Sequence, residues 1–294
     1  MSESGSTVPR RQLGRYLRDL RTQVGMTIPE VAKLVERSSS TVQRYEVGDF
    51  PAKIRTVEIR EMCLALGADE TMTSALMGLA QQANVPNWWH EYGDLIPNDF
   101  NVYMGLEAAT ERMTSYSPDA VLGILQCPEY ARVLAHSVHP DSTPEELDQL
   151  IHLKKRRQTL ITRKRRPVTL NAVLGEATLR RIVGNKRVMN RQLKHLADLS
   201  TLPNVTLHVL PFAAGIPSGD PLGLFTVLDF GARTKGQPIE PSVVYMENLT
   251  GDMYLQKQGD VDRYHEAHLA LQRAALDEKA SRDLIRQVTR EHAA

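Results

Sequence analysis

Two helix-start signals set close together constrain this chain more than anything else in it. Thr27-Ile28-Pro29-Glu30 reads as a capping box. Its Thr can accept from a free amide, its Glu can reach back, and its Pro sits in the first turn, where a missing N–H costs nothing. Ser38 is a second cap. The spacing leaves room for one short helix, residues 28–36, then a turn, then another helix from residue 39 to about 45, closed by Gly48. Upstream, Leu13, Tyr16, Leu17, Leu20 and Val24 follow a helical period over residues 10–23, and Gly25 ends that helix. Pro51 breaks the chain, and two more helices are expected near 56–66 and 69–83. Five short helices predict a compact all-helical domain over residues 10–83, behind a small, polar, flexible tail at 1–9.

Residues 32–48 have the pattern of two helices crossing at a tight turn. Ala32 is small where they cross, Val31, Leu34 and Val35 are expected to face the core, and Val42 and Tyr45 would plug the next helix into it. Ser39, Ser40, Gln43 and Arg44 are left on the outer face. Polar tips so placed can enter a major groove and read base edges, Arg suiting guanine and Gln adenine. The charge agrees. The first 60 residues hold 11 Lys/Arg against 7 Asp/Glu, although the whole chain, with 36 and 35, carries only +1. A basic head on a slightly acidic body suits a reader of a polyanion.

A length of 294 residues suits two domains. Residues 84–97, with two prolines and Trp88-Trp89, read as a junction, and a second domain follows over 98–294. Helical periods are expected near 98–113, 128–135, 144–163, 176–182, 188–199 and 260–276, and from about 281. Segments 168–174, 205–210, 224–230 and 243–246 alternate or run apolar and are rich in β-branched residues, so they read as strands; 254–256 is compatible with another. The expected fold class is therefore mainly α: a five-helix head and an α+β second domain, the latter assigned to dimerisation and regulation.

Chemistry-bearing motifs are sparse. Cys63 and Cys127 are the only cysteines, which excludes a disulfide framework and fits a reducing compartment. No apolar run has the length of a membrane span and residues 1–9 hold no signal-peptide core, so a cytoplasmic, membrane-free protein is expected. There is no nucleophile elbow, phosphate loop or dinucleotide fingerprint, so neither enzymatic activity nor a cofactor is expected. His136/His139 and His265/His268 are three apart, but no ligand cluster joins them, and no metal is expected. Several features stay open. The basic run 154–166 is either a phosphate-contacting strip or a solvated helix face. Glu247, Asp252 and Tyr254 belong to a tight turn or line a polar pocket, and the glycine-rich loop 212–222 connects strands or folds over a ligand. Trp88, Trp89, Tyr92 and Phe100 join the domains or line a pocket.

Residues 10–79 resemble the phage-repressor (Xre) type of helix-turn-helix. That resemblance implies a structural ion pair between Arg21 and Glu46. It implies base-reading positions at Ser39, Ser40 and Arg44, with Gln43 beside them, and phosphate-proximal positions at Thr27, Ile28 and Lys33; Ser38 joins the DNA-facing set. The turn departs from the family pattern, which has Gly where this chain has Glu36. A left-handed Glu costs about 1 kcal/mol, so a rearranged turn is expected there. The stretches Trp88-Trp89…Tyr92-Gly93, Tyr103-Met-Gly-Leu-Glu-Ala-Ala, Gly123-Ile-Leu-Gln-Cys-Pro-Glu-Tyr-Ala-Arg, Asn204-Val-Thr-Leu-His-Val-Leu-Pro-Phe and Leu249-Thr-Gly-Asp-Met-Tyr-Leu resemble the WhiJ-like actinobacterial regulators. The resemblance implies a transcriptional regulator on double-stranded DNA, with a small BldB-like protein as partner and an antitoxin-like mode of action. A homodimer and a small-molecule effector are also expected. The competing reading is an antitoxin-like interaction module that neutralises the small partner, with DNA binding secondary.

Overall fold

The computed structural model describes residues 7–51, 53–85, 87–95, 98–231 and 239–292. They form two compact units: the chain up to Gly93 with Met104–Leu106, and Asp94–Tyr103 with the chain from Glu107 onward.

The first unit holds α1 (Thr7–Gln23), α2 (Ile28–Leu34), α3 (Ser39–Glu46), α4 (Thr56–Ala65) and α5 (Glu70–Ala83). Residues 7–9 of the expected tail are the first turn of α1, and residues 1–6 lie outside the described residues. Both sequence-level caps are made. The Thr27 amide donates to the Glu30 carboxylate at 2.7 Å while the Thr27 hydroxyl accepts from the Glu30 amide, and the Ser38 hydroxyl accepts from the Thr41 amide at 3.2 Å. Leu13, Leu17, Val31, Val42, Ile59 and Leu76 meet in one core. Burial of each such side chain stabilises the fold by about 1.5–3 kcal/mol. Leu34, expected in that core, is 56% exposed instead. The buried stripe of α2 is Ile28, Val31, Ala32 and Val35, and at about 100° per residue Leu34 falls beyond its edge. In the expected junction, Trp88–Leu95 forms a 3-10 helix; Pro86, Ile96 and Pro97 lie outside the described residues. Trp88 meets Trp89 and Tyr92 edge to face, at 5.4 and 6.2 Å between ring centres.

The second unit is built on a mixed sheet. Its strands are β1 (Arg112–Ser117), β2 (Thr169–Gly175), β3 (Val205–Leu210), β4 (Phe225–Asp229), β5 (Val243–Met246) and β6 (Met253–Leu255), in the order β3-β2-β1-β4-β5-β6. The β3, β2 and β1 strands are parallel, whereas β4, β5 and β6 add on antiparallel. The parallel part needs helical crossovers. They are α7 (Pro128–Val138) with α8 (Pro144–Thr162), then α9 (Ala177–Arg180) with α10 (Lys186–Leu199). The chain closes with α11 (Gln258–Ala274) and α12 (Glu278–Glu291).

The helix expected over 98–113 stops early: α6 covers Asn98–Ala109, and the chain then becomes β1, the inner strand that the sequence reading passed over. Tertiary pairing overrides the helical period. The Thr110 hydroxyl and the Glu111 amide both donate to the Asp229 carbonyl, at 2.9 and 2.8 Å, and the Thr169 amide donates to the Glu111 carbonyl at 2.9 Å. The sheet then sorts side chains by parity. Tyr116, Val173, Phe225, Val227 and Val244 pack with Val261 and Leu271 of α11. Ser115, Thr226 and Tyr245 are cross-strand partners on the alternate positions, and the Ser115 and Thr226 hydroxyls lie 3.0 Å apart.

His265 and His268, the pair whose spacing invites a metal reading, have different fates on α11. His265 lies 3.6 Å from Asp229, which raises its pKa through a hydrogen bond. His268 is buried, and burial pulls its pKa down to about 4. Between pH 6.5 and 4 the unfolded chain binds a proton that folded His268 refuses, so stability falls as pH falls through that window, by of order 3 kcal/mol. His268→Asn is expected to flatten the stability curve there relative to the parent, as read by urea unfolding at stepped pH.

Candidate nucleic-acid interface

Helix α3 is clamped from behind. Gly14 of α1 makes the close approach possible, since a Cβ there would stand 2.4 Å from the Tyr45 carbonyl and 2.7 Å from the Gly48 amide. Arg21 makes a two-pronged ion pair with Glu46, Nε to Oε1 at 2.5 Å and Nη2 to Oε2 at 2.9 Å, and its Nη1 donates to the Met26 carbonyl. The Glu46 carboxylate is buried, so this pair is a fixed strut rather than a surface contact. From the other side, the Tyr45 hydroxyl donates to Glu58 at 3.0 Å. Burial, with Glu58 beside it, pushes the Tyr45 phenol up to about 12, so it remains a donor. Arg37 in the turn also reaches Glu58, at 2.9 Å.

With α3 held by Val42, Tyr45 and Glu46, its other side is open. Thr27, Lys33, Ser38, Ser39, Ser40, Gln43 and Arg44 are all exposed. Their side chains are not equally available. Thr27 and Ser38 are occupied in capping, and Ser40 lies 2.9 Å from the Ser38 hydroxyl. Ser39 and Gln43 make no side-chain hydrogen bond among the described residues. Arg44 is held by Asp49, Nε to Oδ2 at 2.6 Å, an acceptor that the sequence reading did not include. Both partners are well exposed, and such a pair exchanges readily for another acceptor.

The turn is not rearranged as expected. Glu36 adopts φ 52° and closes α2 with a Schellman pattern: the Arg37 amide donates to the Ala32 carbonyl at 2.9 Å and the Glu36 amide to the Lys33 carbonyl at 3.4 Å. The chain carries the strain of a left-handed Glu and keeps the two-helix geometry.

The basic run splits. Lys155, Arg163, Lys164, Arg165 and Arg166 are exposed, but Arg157 is buried in a two-pronged pair with Glu107 at 2.7 and 2.7 Å. Lys154 is half-buried and donates to the Gln126 side-chain oxygen at 2.8 Å. Both basic residues line a cavity of about 600 Å³ in the second unit, together with Phe100, Glu247 and Asp252. Each of these residues was visible singly in the sequence, but not their convergence. Tyr254 stands beside Tyr245 at 5.3 Å between ring centres.

A family profile described as a helix-turn-helix domain matches residues 12–76. A second, described as "Domain of unknown function (DUF5753)", matches residues 100–287. No curated protein matches the chain. The helix-turn-helix match points to a DNA-binding regulator, and no helix among the described residues is long and apolar enough to cross a membrane.

Replacing Glu36 by Gly relieves the left-handed strain while leaving the Schellman hydrogen bonds in place. Glu36→Gly is expected to stabilise the first unit by about 1 kcal/mol, seen as a higher urea midpoint.

Proposed function

The chain belongs to the DUF5753 family, and on that premise, with a helix-turn-helix domain ahead of the family region, we propose that it is a sequence-specific DNA-binding transcriptional regulator. In this reading α3 enters the major groove. Gln43 and Arg44 read base edges, with Ser39 and Ser40 beside them, while Thr27, Lys33 and Ser38 lie along the phosphates. The observation that carries the reading is the open polar face of α3: Ser39, Ser40, Gln43 and Arg44 are exposed, as are Ser38 at its cap, Thr27 at the cap of α2 and Lys33 within α2, while the clamp on the helix is made by others. Arg21 and Glu46 hold the helix and do not read DNA.

A recognition helix of eight residues offers few base contacts, so selective binding calls for a homodimer with half-sites about one helical turn apart. Dimerisation and receipt of the regulatory signal are assigned to the C-terminal domain; the WhiJ-like resemblance supports a small BldB-like protein as that signal, and a small molecule is the other candidate.

Sequencing the DNA recovered with the purified protein, with and without the small partner, supplies the operator for a gel-shift test. Gln43→Ala with Arg44→Ala is expected to weaken operator binding about 100-fold or more and to leave circular dichroism unchanged. Unchanged affinity refutes the assignment. Lys33→Ala is expected to weaken binding to all sequences alike and to lower the salt slope by about one, as measured by titration at several salt concentrations.

A further inference from the structure

We propose that the cavity of the second unit is a binding site for a small amphipathic molecule, an apolar body with a carboxylate head that accepts from Lys154. The site stands on the geometry of this unit alone; only its use as the regulator's input rests on the function proposed above.

The sheet supplies one wall. On β1, β4 and β5 the residues that do not pack with α11, namely Met113, Ser115, Thr226 and Tyr245, line the cavity. Its volume of about 600 Å³ falls in the range that holds a small molecule, about 300–1,000 Å³. Val121, Leu122, Ile124, Leu134, Leu150 and Leu153 make the lining largely aliphatic. Phe100 and Tyr103 stack 5.5 Å apart, and the Tyr103 ring lies 4.1 Å from Tyr245, so one side is aromatic. Val138 and Leu249 also line the cavity yet are exposed, giving it an apolar mouth.

The polar groups differ in what they have left to offer. Glu107 accepts from Nε and Nη2 of Arg157, so the Arg157 charge is already paired. The Ser115 and Thr226 hydroxyls share one hydrogen bond, and the Tyr245 hydroxyl donates to Asp252 at 3.0 Å. Lys154 is different. An ammonium has three donors, and Gln126 takes one. The Gln126 carboxamide is fixed in that orientation, because its amide end donates to the Val121 carbonyl at 2.7 Å. No carboxylate among the described residues comes within ion-pair distance of Lys154. Burial, then Arg157, pull its pKa down to about 8 against the opposing pull of Glu247. An anionic guest relieves that cost. A single ammonium with Glu247 and Asp252 nearby suits one negative charge, not a dianion, and the lining suits a hydrocarbon or aryl body.

The test is isothermal titration of the full chain, without DNA, with two acids and their neutral twins: dodecanoate against dodecanol, and 1-naphthylacetate against 2-(1-naphthyl)ethanol. At least one acid is expected to bind saturably, about tenfold tighter than its alcohol. Lys154→Met is expected to erase that preference while keeping the alcohol's affinity, and Lys154→Arg to keep the preference. Circular dichroism checks both variants for folding, and the acid–alcohol comparison on the parent stands without them. No saturable binding of either acid up to about 1 mM, equal affinity for acid and alcohol in the parent, or a preference that survives Lys154→Met overturns the proposal. Because DNA is left out, such a failure leaves the DNA-binding reading untouched, and loss of that reading leaves this site standing.

Discussion

The buried pair of Arg157 and Glu107 fixes the second unit where its helices would otherwise be free to slide. It joins α8 to α6 at 2.7 Å, with the guanidinium 5.1 Å from the Phe100 ring centre and 5.4 Å from that of Tyr103. Burial pulls the Arg157 guanidinium down, but the Glu107 carboxylate more than offsets this and holds it above the ordinary arginine value. A charge pair this enclosed pays back little in stability compared with a hydrophobic replacement of the same volume. Its effect is geometric: two directional bonds and two flanking rings hold α8 against α6.

The first unit works by a parallel device on a smaller scale. Arg21 and Glu46 tie α1 to α3 as Arg157 and Glu107 tie α8 to α6. In both units the fixed pair lies behind a surface that stays open, the polar side of α3 in one and the cavity in the other. The strained Glu36 belongs to the same logic. The Schellman bonds and the Val42–Tyr45 packing over-determine the turn, so it tolerates a residue with the wrong backbone preference.

The head was legible because its signals are local. A capping box, a second cap and an apolar stripe each act within a few residues, and they place α2 and α3 without knowledge of the rest. The Arg21–Glu46 pair came from the family resemblance, which spans their sequence separation of 25. Leu34 was misplaced because a seven-residue helix gives too few turns to fix the phase of its buried stripe. In the second unit, β2, β3, β4 and β5 showed in the sequence because they are apolar and rich in β-branched residues. Strand β1, Arg-Met-Thr-Ser-Tyr-Ser, follows directly on a helix and carries polar residues, yet all but its first residue are buried. Nothing local announces that, because the hydroxyl that satisfies Ser115 belongs to Thr226, 111 residues on. The cavity was hidden for the same reason: its polar residues come from α6, α8, the strands β1, β4 and β5, the segment before α7 and the loop after β5.

That placement of β1 also bears on how the second unit comes together. The strand is made early, yet one of its edges can be closed only by β4, the segment Phe225–Asp229, far downstream. Until that segment leaves the ribosome, a β1–β2–β3 layer would present a bare row of amides and carbonyls. Long-range pairing of this kind slows folding, and an open edge invites other chains. A nascent or truncated chain ending before β4 thus exposes an edge that the finished sheet covers, whatever the stability of the complete protein.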